Sequence, residues 1–335
     1  MTRIPKPPKL PALLDRKIYK TGQTRGADDD VIFQNRVSRT STVLIPYNLW
    51  DSVAIPPREE TVFENGFIAL IPPSSYFGMK DPDAELTKYG LVLGGNALVF
   101  YETRSDWMRY PIKTGWRPAS KRCAPLGGKY VARIAGTTAH TQGERINKGY
   151  TTTGNKGAGI RLFEYASSET IRLCRFQLEA LYWYCYDSVE MAVKFGMTQD
   201  DAIKRKSSCL QMAQESGLLD EKMLTKQRLI DKSGGAVCPL CLEQLSGHGF
   251  FSRLAQAEGR EVHDLTVTEV NLFHICEVRF GEYNHKPYNL GWGHHHCNVV
   301  VKDSGICETL AWMDGILSRN ISANLYGPSK RCISS

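Results

Sequence analysis

The stretch Cys238-Pro-Leu-Cys241, followed by Val270-Asn-Leu-Phe-His274-Ile275, Asn289-Leu290 and His294-His-His-Cys297-Asn298, decides how the C-terminal third of this chain reads. A Cys/His pair separated by two residues supplies two metal ligands from one tight turn, and two such pairs far apart in sequence close a tetrahedral zinc site. Cys238 and Cys241 form the first pair, His294 and Cys297 the second. Spacing alone selects His294 over its neighbours His295 and His296.

Between and after these pairs the pattern predicts β, β, α. Val270 to Ile275 is the first strand, Phe280 to Gly293 the loop and returning strand, and Asn298 to Met313 the helix. His274, Asn289 and Asn298 stand inside that frame, the last directly after a presumed zinc ligand. On residue chemistry alone His274 suits a structural histidine or a proton acceptor, Asn289 a turn residue, and Asn298 a helix N-cap or a ligand.

The register resembles the HNH, or ββα-metal, nuclease family, whose zinc-containing members read roughly Asp-His-Ile, Asn-Leu and Cys-x-x-Cys-Asn. The resemblance implies that His274 is the general base, that Asn289 braces the hairpin and orients His274, and that Asn298 binds a catalytic divalent ion, Mg2+. The zinc would be structural. The chain departs from the family pattern twice. His294 replaces a cysteine, which zinc tolerates. Phe273 stands where the family commonly places a metal-ligating Asp or His. Either Asn298 is then the main protein ligand, completed by water and phosphate, or Glu269, Glu277 or Asp303 reaches in. A carboxylate restored at position 273 is expected to tighten the ion.

Composition sets the wider frame. The 335 residues exceed a usual single domain, with 42% hydrophobic and 23% charged side chains, as in an ordinary globular protein. No apolar run spans a bilayer, and the N-terminus lacks the apolar core of a signal peptide. The ten cysteines are spread along the chain. A reducing cytoplasm is expected, with Cys123, Cys174, Cys185, Cys209, Cys276, Cys307 and Cys332 read as small buried hydrophobes.

The net charge of +7 is concentrated. From Tyr101 to Arg175 there are 14 Lys and Arg against 5 Asp and Glu, an excess of nine, so the remainder is slightly acidic. That excess is the electrostatic footprint of a phosphate-binding surface, with Arg104, Arg109, Lys113, Arg117, Lys121, Arg122 and Arg133 as candidate DNA contacts. Trp107, Tyr110, Trp116 and Tyr130 are interleaved among them and suit either stacking on bases and sugars or a core.

The expected fold is α+β in three parts. Residues 1–167 form a β-rich DNA-recognition region, opening with an extended proline-bearing arm to Asp30 and carrying strands near Thr42–Ile45, Gly66–Ile71, Leu91–Leu93 and Leu98–Tyr101. Residues 168–232 form a helical connector with dimer contacts, its first helix closed by Gly196 and its next capped by Thr198. Residues 233–335 form the zinc-braced module.

A nuclease module with a large unique region resembles type II restriction endonucleases, and the tract Tyr283 to Asp303 is most similar to BstXI-type enzymes. The resemblance implies a bacterial cytoplasmic homodimer that cuts double-stranded DNA within a restriction-modification system, with no membrane partner. A modification-dependent or homing nuclease, and a non-catalytic zinc-stabilised DNA-binding protein, remain open alternatives.

Overall fold

Val43-Leu44-Ile45, Ile68 to Ile71 and Ala97 to Tyr101 are continuous apolar runs, the pattern of strands covered on both faces. In the computed structural model of the chain they lie side by side and parallel. The structure describes residues 7–25, 36–50, 63–133, 146–149, 159–253, 268–276, 283–301 and 305–326. In chain order the elements are α1 (Ala12–Tyr19), β1 (Gln23–Arg25), β2 (Arg36–Ser38), β3 (Val43–Pro46), β4 (Phe67–Ile71), α2 (Pro73–Gly78), α3 (Pro82–Lys88), β5 (Ala97–Tyr101), α4 (Arg104–Arg109), β6 (Tyr130–Arg133), β7 (Asn147–Lys148), β8 (Ile160–Arg161), α5 (Ser168–Trp183), α6 (Ser188–Lys194), α7 (Gln199–Glu215), α8 (Glu221–Lys226), β9 (Val270–His274), β10 (Leu290–His294), α9 (His295–Val301) and α10 (Ile306–Ser322).

The chain divides into two compact units, one of Gly22–Ile171 with Arg279–Tyr283, the other of Met1–Thr21, Arg172–Val278 and Asn284–Ser335. In the first unit the sheet order is β7-β6-β5-β4-β3-β8, parallel except for β7. Side chains alternate across it. Val43, Ile45, Ala69, Ile71, Val99 and Tyr101 enter one apolar cluster, while Leu44, Ile68, Leu98 and Val131 enter another on the opposite face. Strand β-propensity was legible in sequence, whereas the parallel pairing and the intervening helices α2 to α4 were not. Leu91–Leu93 is not a strand; only Leu93 bridges Ala97.

In the second unit the helices and the C-terminal segment share one core. Leu178, Leu181 and Trp183 of α5, Cys209 and Ala213 of α7, Phe273 of β9, Leu290 and Trp292 of β10, and Cys297 of α9 belong to a single cluster. The span 168–232 is therefore packed with the C-terminal module rather than standing apart from it. It holds four helices. Thr198 caps α7 as expected, its hydroxyl accepting from Asp201 N at 3.1 Å. Gly196, however, follows α6. The first helix already ends at Trp183, where Ser188 Oγ donates to Trp183 O at 3.1 Å and Asp187 turns its carboxylate to Ser246 Oγ at 2.6 Å.

The N-terminal arm is not extended throughout. Ala12–Tyr19 is helical because Leu14 and Ile18 repeat at i, i+4 and bury in the same core. Lys17, also buried, donates from Nζ to Val270 O at 2.7 Å and to Asn271 Oδ1 at 3.2 Å.

Among the described residues, no helix is long and apolar enough to cross a membrane. Cys174, Cys185 and Cys209 are buried as expected, but Cys123, Cys276 and Cys307 are exposed, and Cys332 lies outside the described residues.

Candidate active site and metal centre

Turn chemistry leads into the first cysteine pair. Asp231 Oδ1 accepts from Ser233 N at 2.8 Å, Ser233 Oγ at 2.6 Å and Gly235 N at 3.0 Å, while Oδ2 accepts from Gln244 Nε2 at 2.7 Å. The Gln244 and Ser233 bonds hold the Asp231 carboxyl well below the usual carboxylate range. The pair then closes as a tight turn, with Leu242 N donating to Cys238 O at 2.8 Å and Cys238 N to Glu243 O at 2.9 Å. Arg228 clamps its outer side, donating to Pro239 O at 2.6 Å and Leu240 O at 3.2 Å.

The second pair comes from the junction of β10 and α9. β10 pairs antiparallel with β9, Leu290 opposite His274 and His294 opposite Val270. α9 begins immediately after the strand, where His295 N donates to Glu269 O at 2.7 Å. His294 therefore ends the strand and Cys297 sits in the first turn of the helix.

The four ligand atoms of Cys238, Cys241, His294 and Cys297 lie within 4.8 Å of one another, and Cys241 Sγ stands 3.4 Å from His294 Nδ1. A tetrahedral zinc with bonds of about 2.3 Å to sulfur and about 2.0–2.1 Å to nitrogen has a sulfur–nitrogen edge of roughly 3.6 Å. The donor set fits a soft, closed-shell metal site. Burial, reinforced by Cys238 and Cys241, raises the Cys297 thiol, and burial lowers His294. A neutral imidazole is the ligating form, and a divalent cation among the sulfurs offsets their mutual repulsion.

The strand–strand–helix order that the spacing predicted is present, but the helix starts at His295 instead of Asn298. Asn298 is therefore inside α9 and does not cap it. Its Nδ2 donates to Leu272 O at 3.3 Å, which turns Oδ1 away from the strand carbonyl. Asn289 is buried and makes three bonds. Oδ1 accepts from Cys276 N at 2.7 Å, and Nδ2 donates to Cys276 O at 2.8 Å and Asn284 O at 2.6 Å. The backbone two residues past His274 is thus gripped from both sides.

His274 is the last residue of β9 and is half-buried. Its Nε2 stands 3.4 Å from Nδ1 of His285, a residue to which spacing had assigned no role. No periodicity or motif marks His285 in the sequence; only the loop geometry brings it in.

Position 273 differs from expectation. Phe273 is fully buried in the core, and strand alternation turns it to the opposite face from His274, so a carboxylate there would be buried among apolar side chains. Of the alternative carboxylates, Glu269 is exposed and accepts from Ser252 Oγ at 2.6 Å. Glu277 and Asp303 lie outside the described residues.

The basic stretch belongs to the other unit. Arg104, Arg109, Lys113, Arg117 and Lys121 are exposed and Arg122 is half-buried; of Arg133 only the backbone, in β6, is described. The interleaved aromatics are not an exposed stacking platform. Tyr101 meets Trp107 edge-on at 5.1 Å, Trp116 stacks on Tyr130 at 6.4 Å, and Tyr110 stacks on Phe77 at 5.6 Å, all within or against the unit's core. Lys113 Nζ sits 4.9 Å over the Tyr76 ring, a cation–π contact that leaves the charge at the surface.

A family model described as BstXI restriction endonuclease matches residues 16–295 of this chain. A solved structure described as a type II restriction endonuclease aligns with 17% identity and a TM-score of 0.28 over 47% of this chain; the aligned part spans 57% of that protein. Among curated proteins no match was found.

Proposed function

Because the chain belongs to the BstXI restriction endonuclease family, we propose that it is a sequence-specific endonuclease that cuts double-stranded DNA through an HNH-type centre built on β9, β10 and α9. The observation that carries this reading is the family match, which takes in most of both compact units. The strand–strand–helix order around His274, Asn289 and Asn298 supports the finer assignment.

Phosphodiester hydrolysis needs an activated water, neutralised phosphate charge and a stabilised leaving oxygen. His274 supplies an imidazole, the side chain type that can accept a proton near neutral pH. Asn289 keeps the backbone beyond His274 from shifting, so the imidazole keeps its direction. Asn298 Oδ1 is a hard oxygen donor, the type that Mg2+ takes together with water and phosphate oxygens. When bound there, Mg2+ would supply Lewis-acid stabilisation of the scissile phosphate and leaving oxygen.

Zinc in the Cys238, Cys241, His294 and Cys297 site would be structural, tying the 238–241 turn to the β10–α9 junction. Arg104, Arg109, Lys113, Arg117, Lys121, Arg122 and Arg133 would meet the DNA backbone, positioning the duplex without reading its bases. Two copies of the chain acting on a palindromic site would account for cutting both strands.

Plasmid cleavage with and without Mg2+, alongside the His274→Ala protein, tests this reading. Mg2+-dependent, site-specific fragments that vanish with His274→Ala support it. The burial of Phe273, which removes the usual strand ligand, favours a second reading: a zinc-stabilised DNA-binding protein without catalysis. DNA binding with no cleavage at any Mg2+ concentration would select that second reading.

A further inference from the structure

The loop that leads into β10 is held at several points. Tyr288 N donates to Gln177 Oε1 at 2.6 Å and its hydroxyl donates to Gly217 O at 2.7 Å, anchoring the loop on the helices. Asn289 Nδ2 binds Asn284 O at 2.6 Å, and Lys286 N donates to the same carbonyl at 3.0 Å. Between these anchors His285 is 1% exposed, its ring tilted 50° to that of His274 with centroids 5.6 Å apart. The Nε2 of His274 and the Nδ1 of His285 are the atoms that meet.

In such a pair one nitrogen donates and the other accepts. The two directions are not equivalent for a base. If His285 donated, a neutral His274 would carry its proton on Nδ1 and have its free nitrogen, Nε2, occupied, leaving no site for a proton from water. If His274 donates, its neutral ring carries the basic lone pair on Nδ1. We infer that His285 is a positioning residue for His274: its Nδ1 accepts the Nε2–H of His274, fixing the tautomer and ring direction in which His274 Nδ1 takes the proton.

This rests on His274 being the base. In that step the water O–H bond breaks, its proton goes to His274 Nδ1, and the oxygen lone pair forms the bond to phosphorus. The phosphorus–3′ oxygen bond breaks with its electron pair on oxygen, which takes a proton from solvent. His274 then carries two N–H groups, and His285 goes on accepting one of them, as the orienting group of a hydrogen-bonded catalytic histidine does.

Single-turnover cleavage, DNA affinity, zinc content and melting are measured for His285→Leu and His285→Asn. The His285→Leu protein should cut about 100-fold more slowly, within the range that a positioned base contributes, with DNA affinity and zinc unchanged. His285→Asn, whose Oδ1 stands in for Nδ1, should recover at least tenfold of that loss. A His285→Leu rate within threefold of wild type, or no recovery with Asn, overturns the inference. In the unmodified protein, histidine 15N spectra should show His274 protonated on Nε2 and bare on Nδ1, and the opposite tautomer also overturns it. If His274→Ala keeps cutting, the base assignment itself fails; if His274→Ala is dead while His285→Leu is active, only the role of His285 fails.

Discussion

The ring of Phe273 fills the space that a side chain at Gly293 would need: a Cβ built on Gly293 stands 2.5 Å from Phe273 Cδ2. Position 273 is therefore a core position, closed by a glycine on the partner strand.

Phe273→Asp should destabilise the protein by at least about 3 kcal/mol, since it opens a cavity and buries a carboxylate without partners. It should not lower the Mg2+ concentration needed for cleavage. Gly293→Ala should cost roughly 1–3 kcal/mol by overpacking against the ring. Urea midpoints and a Mg2+ titration check both, and a stable Phe273→Asp enzyme with tighter metal dependence would show the strand face to be misassigned.

Cys297→Ser should lose stoichiometric zinc, and chelation of the wild-type protein should lower its melting temperature by at least roughly 10 °C, because each kcal/mol is worth about 2–4 °C in a unit of this size. Metal analysis and calorimetry read this directly. Full zinc retention in Cys297→Ser would redraw the site.

Asn289→Ala should cost about 2–4 kcal/mol, since it removes the side-chain partner of the Cys276 N–H and carbonyl and one of the donors to the Asn284 carbonyl. Asn289→Asp should be no better than Ala. A carboxylate replaces the only donor and faces two carbonyl oxygens. Recovery of stability in the Asp variant, measured by denaturant unfolding, would contradict the bonding described for this side chain.

Replacing Arg117, Lys121 and Arg122 together with Gln should flatten the dependence of log K on log salt by up to roughly 2–3, at about 0.9 per phosphate contact. Anisotropy titrations at several KCl concentrations test it. An unchanged slope moves the DNA surface elsewhere. Trp116→Ala, by contrast, should lower the stability of the sheet unit, because Trp116 packs on Tyr130 and Tyr76 within that unit.

The metal cluster and the strand–strand–helix order were legible in sequence because both rest on local geometry. A two-residue spacing forces two ligands onto one turn, and strand or helix periodicity is set within a few residues. The cap at Thr198 is the same kind of local signal.

What the chain alone determined, then, is which residues carry soft ligands, which runs form strands and helices, and where positive charge gathers. Tertiary structure decided everything that depends on a partner distant in sequence: the parallel order of β3, β4 and β5, the docking of Lys17 on Val270, the burial of Phe273 against Gly293, the aromatic core around Trp116, and the meeting of His285 with His274. The physical reason is that these contacts gain their energy from shared burial and fixed backbone direction, quantities that no spacing along the chain encodes.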